Sequence, residues 1–138
     1  MPDTRFATAL IRCRWHGAYM AEDEVRGDDL TDSVLTQSIE SLNGRDLTDL
    51  YLQGPGEAHM AVAGGPDGLV VYATRDNESF FSLCRRGDVA EGAIEVVAGG
   101  QAGDYPARRV VDCDTAKAAA LHWMRHGEPN PSLGWEST

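Results

Sequence analysis

The sequence predicts an α+β domain in which an antiparallel sheet of about six or seven strands carries two helices packed on one face. Several segments alternate apolar and polar residues, and short glycine-rich connections separate them. Two other segments place apolar residues three and four positions apart, as an amphipathic helix does. The predicted order of elements is β-α-β-β-β-β-β-α, in one domain spanning residues 1–138.

The first strand is predicted from Phe6 to His16, where apolar and polar residues alternate. The positions expected to face the core are the odd-numbered ones, Ala7, Ala9, Ile11, Cys13 and Trp15. Gly17 interrupts this alternation. Tyr19 and Met20 are expected either to form a second short strand or to extend the first one with a bend.

An acidic stretch follows the first strand. It contains Glu22, Asp23, Glu24, Asp28, Asp29 and Asp32, with Arg26 as the only basic residue among them. One interpretation is a solvated loop that also supplies negative charge to a helix start. The other is a docking patch for a basic protein surface, formed by the first five of these acids. A calcium loop is not indicated, because the ligand spacing and the glycine of such a loop are missing.

The first helix is predicted from about Leu30 to Asn43, with Asp29 as its N-cap and Gly44 as its end. Its apolar stripe consists of Val34, Leu35, Ile39 and Leu42. Further strands are predicted around Leu50 and Leu52, and over His59–Ala63, Leu69–Thr74, Ser79–Cys84, Ile94–Ala98 and Arg108–Val111. We expect Gly64–Gly68 to form a hairpin loop and Gly99–Gly103 a glycine-rich loop.

The last helix is predicted to begin with Asp114 as its N-cap and to end at Gly127 in the left-handed conformation, where Pro129 prevents continuation. The face expected to pack on the sheet consists of Ala116, Ala119, Ala120, Trp123 and Met124. Trp135 is expected to anchor the following proline-containing tail, because its ring can bury a large apolar area.

Charge and composition limit the classes of function. The chain has 22 acidic and 12 basic residues and a net charge of −10, which argues against direct nucleic-acid binding. It has no apolar run long enough for a membrane span and no visible secretory signal, so we expect a cytoplasmic protein without a membrane partner. Three scattered cysteines, Cys13, Cys84 and Cys113, are expected to be reduced.

The sequence contains no recognisable catalytic or phosphate-binding motif. His122 and His126 have the spacing of two metal ligands on one helix, but the glutamate of the H-E-x-x-H motif is absent. We therefore predict no catalytic residues, no cofactor and no bound metal.

One set of residues is arranged as in a known protein family. These residues lie in the first helix, in the central hairpin, and in the final helix with its tail. The set consists of Leu35, Ile39, Leu42, Met60, Val62, Gly65, Gly68, Leu69, Tyr72, Trp123, Gly127, Pro129 and Trp135. In these residues the chain resembles the bacterial immunity protein 1 family, from about residue 6 to 136. The resemblance implies an α+β protein that is encoded beside a secreted polymorphic toxin, often a nucleic-acid deaminase. The implied role is to bind and block this toxin inside the producing cell or its kin.

The acidic composition fits that implied role, because a deaminase must hold nucleic acid in a basic groove that an acidic protein can occupy. The expected partner is therefore a cognate, basic toxin domain. Two alternatives stay open. One is a small enzyme or ligand-binding protein with a pocket at the sheet edge. The other is an acidic module that mimics DNA and binds a host nuclease or repressor.

Overall fold

A computed structural model describes residues 5–85 and 91–137 of the chain. Its strands are β1 (Ala9–His16), β2 (Tyr19–Arg26), β3 (Leu47–Gln53), β4 (His59–Gly65), β5 (Gly68–Thr74), β6 (Phe80–Cys84), β7 (Ala93–Ala98), β8 (Gln101–Pro106) and β9 (Gly134–Ser137). Its α-helices are α1 (Asp32–Glu40) and α2 (Cys113–His126). A short 3-10 turn precedes each helix, at Gly27–Asp29 and at Ala107–Arg109. The predicted α+β class is confirmed.

Seven of the strands form one antiparallel sheet in the order β2-β1-β3-β4-β5-β6-β9. Both helices contact each other and pack against one side of this sheet, which we call the helix face. The remaining strands, β7 and β8, pair with each other as a two-stranded ribbon. The ribbon contacts β3, β4 and β5 and lies over part of the opposite side, which we call the open face.

The main core lies between the helices and the helix face. Its largest fully buried members include Trp123, Leu10, Leu35, Ile39, Leu50, Leu52, Met60 and Met124. The α2 residues Ala116, Ala119 and Ala120 are also fully buried, so small side chains let this helix approach the sheet closely. The predicted apolar face of α2 is confirmed. Within the described residues, no helix combines the length and hydropathy that crossing a bilayer requires.

The prediction that the odd-numbered positions of the first strand face the core is confirmed for Ala7, whereas within β1 the main core lies on the even-numbered side. Leu10, an even-numbered residue, is fully buried in the cluster beneath the helices. Arg12 lies on the same side and donates a hydrogen bond to Ser38 of α1 at 3.3 Å. Ile11 and Cys13 lie instead on the open face. Alternation alone could not assign the faces, because both sides of β1 carry apolar residues.

The predicted helix boundaries needed correction at both N-caps. Thr31, and not Asp29, caps α1, since its Oγ1 accepts a hydrogen bond from the backbone N–H of Val34 at 3.1 Å. Asp112, and not Asp114, caps α2, since its side chain accepts from the backbone N–H of Thr115 at 2.7 Å. In each case several neighbouring residues had suitable acceptor side chains, and the local backbone decided among them.

Of the other predicted boundaries, the end of the last helix and the central hairpin are confirmed, whereas the end of the first helix is not. Gly127 has φ 67° and ψ 28° at the end of α2, which confirms its predicted left-handed conformation. The first helix ends at Glu40 and does not continue to Asn43. The amide oxygen of Asn43 accepts hydrogen bonds from the backbone N–H groups of the following turn, which competes with helix continuation. The predicted Gly64–Gly68 hairpin is confirmed between β4 and β5.

Two regions that were not predicted as strands belong to strands. The predicted Gly99–Gly103 loop contains a turn and then the first part of β8. The tail forms β9, in which Trp135 lies opposite Leu83 of β6. By contrast, the first half of the predicted Arg108–Val111 strand belongs to a 3-10 turn, and Val111 forms a single bridge to Leu69. Glycines and prolines are unfavourable in strands, and this bias hid β8 and β9.

Candidate interaction surface

The centre of the open face carries aromatic side chains. One row across β1, β3, β4 and β5 consists of Ile11, Tyr51, Ala61 and Tyr72. His59 and Phe80 pack edge-on against Tyr72, with ring centroids 5.6 Å and 5.7 Å apart from it. These three rings and Tyr51 are half-buried. Aromatic residues that are only partly covered in this way are typical of the centre of a protein–protein interface.

A β-bulge at Thr48 fixes the position of the ribbon over this face. The pairing of β1 with β3 shifts register at this residue. The Thr48 hydroxyl accepts a hydrogen bond from the backbone N–H of Gly100 at 2.9 Å, and Gly100 belongs to the turn of the ribbon. A Cβ on Gly100 would lie 2.6 Å from the ring of Trp15, so only glycine permits this close approach.

Asp49 lies at the base of the open face beside the bulge, and it is only 3% exposed. Its Oδ1 accepts hydrogen bonds from the indole N–H of Trp15 and from the hydroxyl of Thr48, each at 3.0 Å. In residues 5–85 and 91–137, no lysine or arginine forms an ion pair with Asp49. A buried acid held only by neutral donors is unusual and indicates a specific role.

This environment keeps neighbouring groups protonated. Burial, followed by the negative charge of Asp49, raises the pKa of the Cys13 thiol to about 12. The same two causes raise the pKa of the Tyr51 hydroxyl above its ordinary value. A nucleophilic cysteine needs a lowered pKa, because the thiolate is the reactive form. Cys13 and Tyr51 are therefore held in their protonated forms.

The open face forms a cleft of about 510 Å³ between β2 and the ribbon turn, which we call the β2 cleft. Residues from four strands line it, and they include Cys13, Trp15, Met20, Glu22, Asp49, Tyr51 and His59. Apolar rings thus form its walls, and acidic groups lie at its rim and at its base. This combination fits a surface that recognises a partner through both shape and charge.

The acidic residues that the sequence singled out are all exposed, but they do not lie on one surface. Glu22, Asp23 and Glu24 belong to the edge strand β2 and not to a loop, which corrects their predicted setting. Strand alternation places Glu22 and Glu24 at the open face and Asp23 at the helix face. Asp28 and Asp29 lie in the 3-10 turn beyond the end of β2.

Two of these acids already have cationic neighbours. The guanidinium of Arg12 donates to both carboxylate oxygens of Asp23, at 2.7 Å and 2.9 Å. Glu24 forms an ion pair with Arg26. Glu22 has no ion pair among the described residues, and of the five acids in the predicted docking patch it is the one that lines the β2 cleft. The structure therefore distinguishes Glu22 from the other acids, which the sequence alone did not.

The residues of α2 and the tail that carry the family resemblance, Trp123, Gly127, Pro129 and Trp135, do not line the β2 cleft. Trp123 is fully buried, and its ring packs edge-on against Phe6 with centroids 5.0 Å apart. A Cβ on Gly127 would lie 2.3 Å from the Phe6 ring, so a glycine is required there for space as well as for backbone conformation. Pro129 follows the helix end, and Trp135 is half-buried against the core.

The two histidines of α2 do come close to each other and to an acid. The rings of His122 and His126 are 4.6 Å apart, and His122 Nε2 lies 3.5 Å from a carboxylate oxygen of Glu128. Across the parts of the chain that the structure describes, no group of three or more histidine, cysteine or acidic side chains could hold a metal ion. The predicted absence of a bound metal stays a prediction.

Sequence reasoning missed the aromatic centre and the buried acid of the open face. Tyr51 alternates with the buried residues Leu50 and Leu52 along β3, and Tyr72 lies between Val71 and Ala73 along β5. This alternation was a usable signal, because a half-buried tyrosine between core residues points to the opposite face. Asp49 carried no such signal, since its burial depends on contacts with β1.

Comparison with known proteins adds one finding. A family model described as Immunity protein Imm1 matches residues 5–137, which is nearly the whole chain. No curated protein and no solved structure matches the chain.

Proposed function

Because the chain belongs to the Imm1 immunity protein family and therefore has a role in toxin immunity, we propose that it blocks a cognate secreted bacterial toxin by stoichiometric binding. The toxin is a nucleic-acid deaminase with a basic substrate groove. The protein occupies this groove in the cytoplasm of the producing cell or its kin and performs no chemistry of its own.

The observation that carries this proposal is the open face, where an aromatic centre borders an acidic edge strand. Tyr51 and Tyr72 supply rigid contact area, and Glu22 and Glu24 supply negative charge at the rim. A net charge of −10 steers such a surface toward a basic groove. A deaminase has such a groove because it must bind nucleic acid before it acts on a base.

The open face also bears on the alternative of a small enzyme with a pocket at the sheet edge. The β2 cleft lies at an edge strand, and it contains titratable groups with shifted pKa values. However, both shifts stabilise the protonated thiol and the protonated phenol, so neither group is activated as a nucleophile. The direction of the shifts supports binding over catalysis.

We expect a one-to-one titration of toxin activity by this protein. The toxin domain encoded beside the gene would be incubated with single-stranded DNA or RNA, and base deamination would be measured as the protein is added. Activity should fall linearly to zero at one equivalent, because a tight stoichiometric inhibitor removes one toxin per molecule. Complete inhibition well below one equivalent would contradict the proposal and favour an enzyme that inactivates the toxin catalytically.

The acidic patch predicted from the sequence provides a kinetic test. Replacing Glu22, Asp23, Glu24, Asp28 and Asp29 together by glutamine or asparagine should slow association with the toxin by about tenfold at low salt. The difference should shrink at moderate salt, where exposed charges are screened over about 8–10 Å. Surface plasmon resonance at both salt concentrations measures this. Association rates equal to those of the unaltered protein would assign these acids to solubility alone.

A further inference from the structure

We propose that a notch in the β2 cleft, above Cys13 and between Glu22 and Asp49, receives one lysine or arginine side chain of the toxin. This inference rests on the proposed function, because it assigns a specific contact to the same surface. It identifies the part of the open face that recognises the partner by charge as well as by shape.

The strand register produces the notch. Glu22 of β2, Cys13 of β1 and Asp49 of β3 lie side by side in one row across the sheet, and all three side chains are on the open face. Neighbouring strands are about 4.8 Å apart, so the backbones of the two acids are about 10 Å apart. The side chain between them is a small, buried cysteine. A depression with an acid on each side is the consequence.

Two aromatic rings complete the walls. Trp15 follows Cys13 by two residues on the same face of β1, and Tyr51 follows Asp49 by two residues on β3. The hydrogen bond from the Trp15 indole to Asp49 and the close packing of Gly100 hold the tryptophan ring in place. Walls that limit the access of water strengthen the attraction between the two acids and a cation.

The charges in the notch have no cationic partner of their own among the described residues. Neither Glu22 nor Asp49 forms an ion pair there, whereas the neighbouring acids Asp23 and Glu24 pair with Arg12 and Arg26. Both notch acids also contribute to raising the pKa of the Cys13 thiol, after burial. The negative potential is therefore concentrated at the point where the depression lies.

An alternative role for Glu22 is to protect an edge strand from pairing with other sheets, as charged residues often do. That role explains an exposed charge on β2, but it does not explain a buried acid two strands away. Asp49 is 3% exposed and lies in the sheet interior, where it cannot guard an edge.

The test compares Glu22→Gln, Asp49→Asn and the double variant with Asp67→Asn as the control. Asp67 is an exposed acid in the turn between β4 and β5, so its replacement makes the same change in net charge at a position that does not line the β2 cleft. Calorimetry with the cognate toxin domain at moderate salt gives the dissociation constants. Each notch variant should weaken binding by about tenfold or more, and the control by less than about twofold.

Because Asp49 is buried, its replacement can also affect folding. Glu22→Lys avoids this difficulty, since Glu22 is exposed and forms no ion pair among the described residues. This reversal should weaken toxin binding by more than Glu22→Gln does, with an unchanged thermal unfolding midpoint. Equal binding by Glu22→Lys and the unaltered protein would overturn the inference, whatever Asp49→Asn does.

The toxin side of the contact is tested by replacing its lysines and arginines one at a time by alanine. One replacement should cost about tenfold against the unaltered protein and little against the Glu22→Gln and Asp49→Asn double variant, as coupled partners do. No such residue would overturn the inference. Failure of the proposed function looks different, because the unaltered protein itself would then not bind the toxin.

Discussion

Replacement of Trp123 by alanine is expected to lower the free energy of unfolding by about 3–5 kcal/mol. Trp123 is fully buried in the cluster that joins α2 to the helix face, and it packs edge-on against Phe6. Its removal leaves a large cavity that surrounding residues fill only in part. Urea denaturation at 25 °C measures the loss. Because domains are typically stable by about 5–15 kcal/mol, the variant should be close to unfolding.

Trp123→Phe is the matched control for this prediction. The Trp123 Nε1 is buried and has no hydrogen-bond partner among the residues that the structure describes, so replacement by phenylalanine removes ring volume but no hydrogen bond. It should therefore cost less than half of what alanine costs. An equal cost for the two replacements would show that the indole N–H, and not the ring volume, is the stabilising group.

Trp135→Ala is expected to cost about 2–3 kcal/mol, less than a fully buried tryptophan would. The ring is half-buried against the core, and its indole N–H donates to the backbone carbonyl of Asn130 at 2.9 Å. Both contacts hold β9 against β6. Chemical denaturation measures the loss, and the affinity for the toxin should stay unchanged where the variant is folded, because β9 is at the opposite sheet edge from β2.

Trp135→Phe separates the two contributions. It keeps most of the ring and removes the hydrogen bond, so it should cost only about 1 kcal/mol. A variant that keeps its stability and loses the toxin would instead make Trp135 an interface hot spot, a role in which tryptophan is enriched. That outcome would move the interaction surface to the other side of the sheet.

Local sequence patterns predicted an element correctly where the residues that define the pattern are also the ones that the fold buries or turns. The alanine-rich face of α2 and the left-handed Gly127 were predicted because small residues and a glycine stop are strong local signals. The hairpin between β4 and β5 was predicted for the same reason, since glycine, proline and aspartate mark its turn.

Strands whose stability depends on distant partners were harder to predict. β2 is rich in acids, and β9 is a short segment after two prolines, so neither has strong strand propensity. Each forms because a neighbouring strand offers an edge for pairing. The acids of β2 were predicted to be exposed, and they are. Their division between two faces depended on recognising β2 as a strand.

The candidate site was predictable only in its charge. Glu22 was singled out as an acid, but its position beside Cys13 and Asp49 follows from the pairing of three strands. The register shift at Thr48 also depends on that pairing. Contacts between residues far apart in sequence do not have a local pattern, and the notch consists entirely of such contacts.

The pairing of β9 with β6 has a consequence for how the protein folds. The paired residues Leu83 and Trp135 are separated by the ribbon and by α2, so the contact closes a long loop. Closing it costs chain entropy before any contact repays that cost. Many of the other strand pairs join neighbours in sequence and avoid this delay. We expect β9 to join the sheet late in folding, so that the edge it covers is exposed on the folding intermediate.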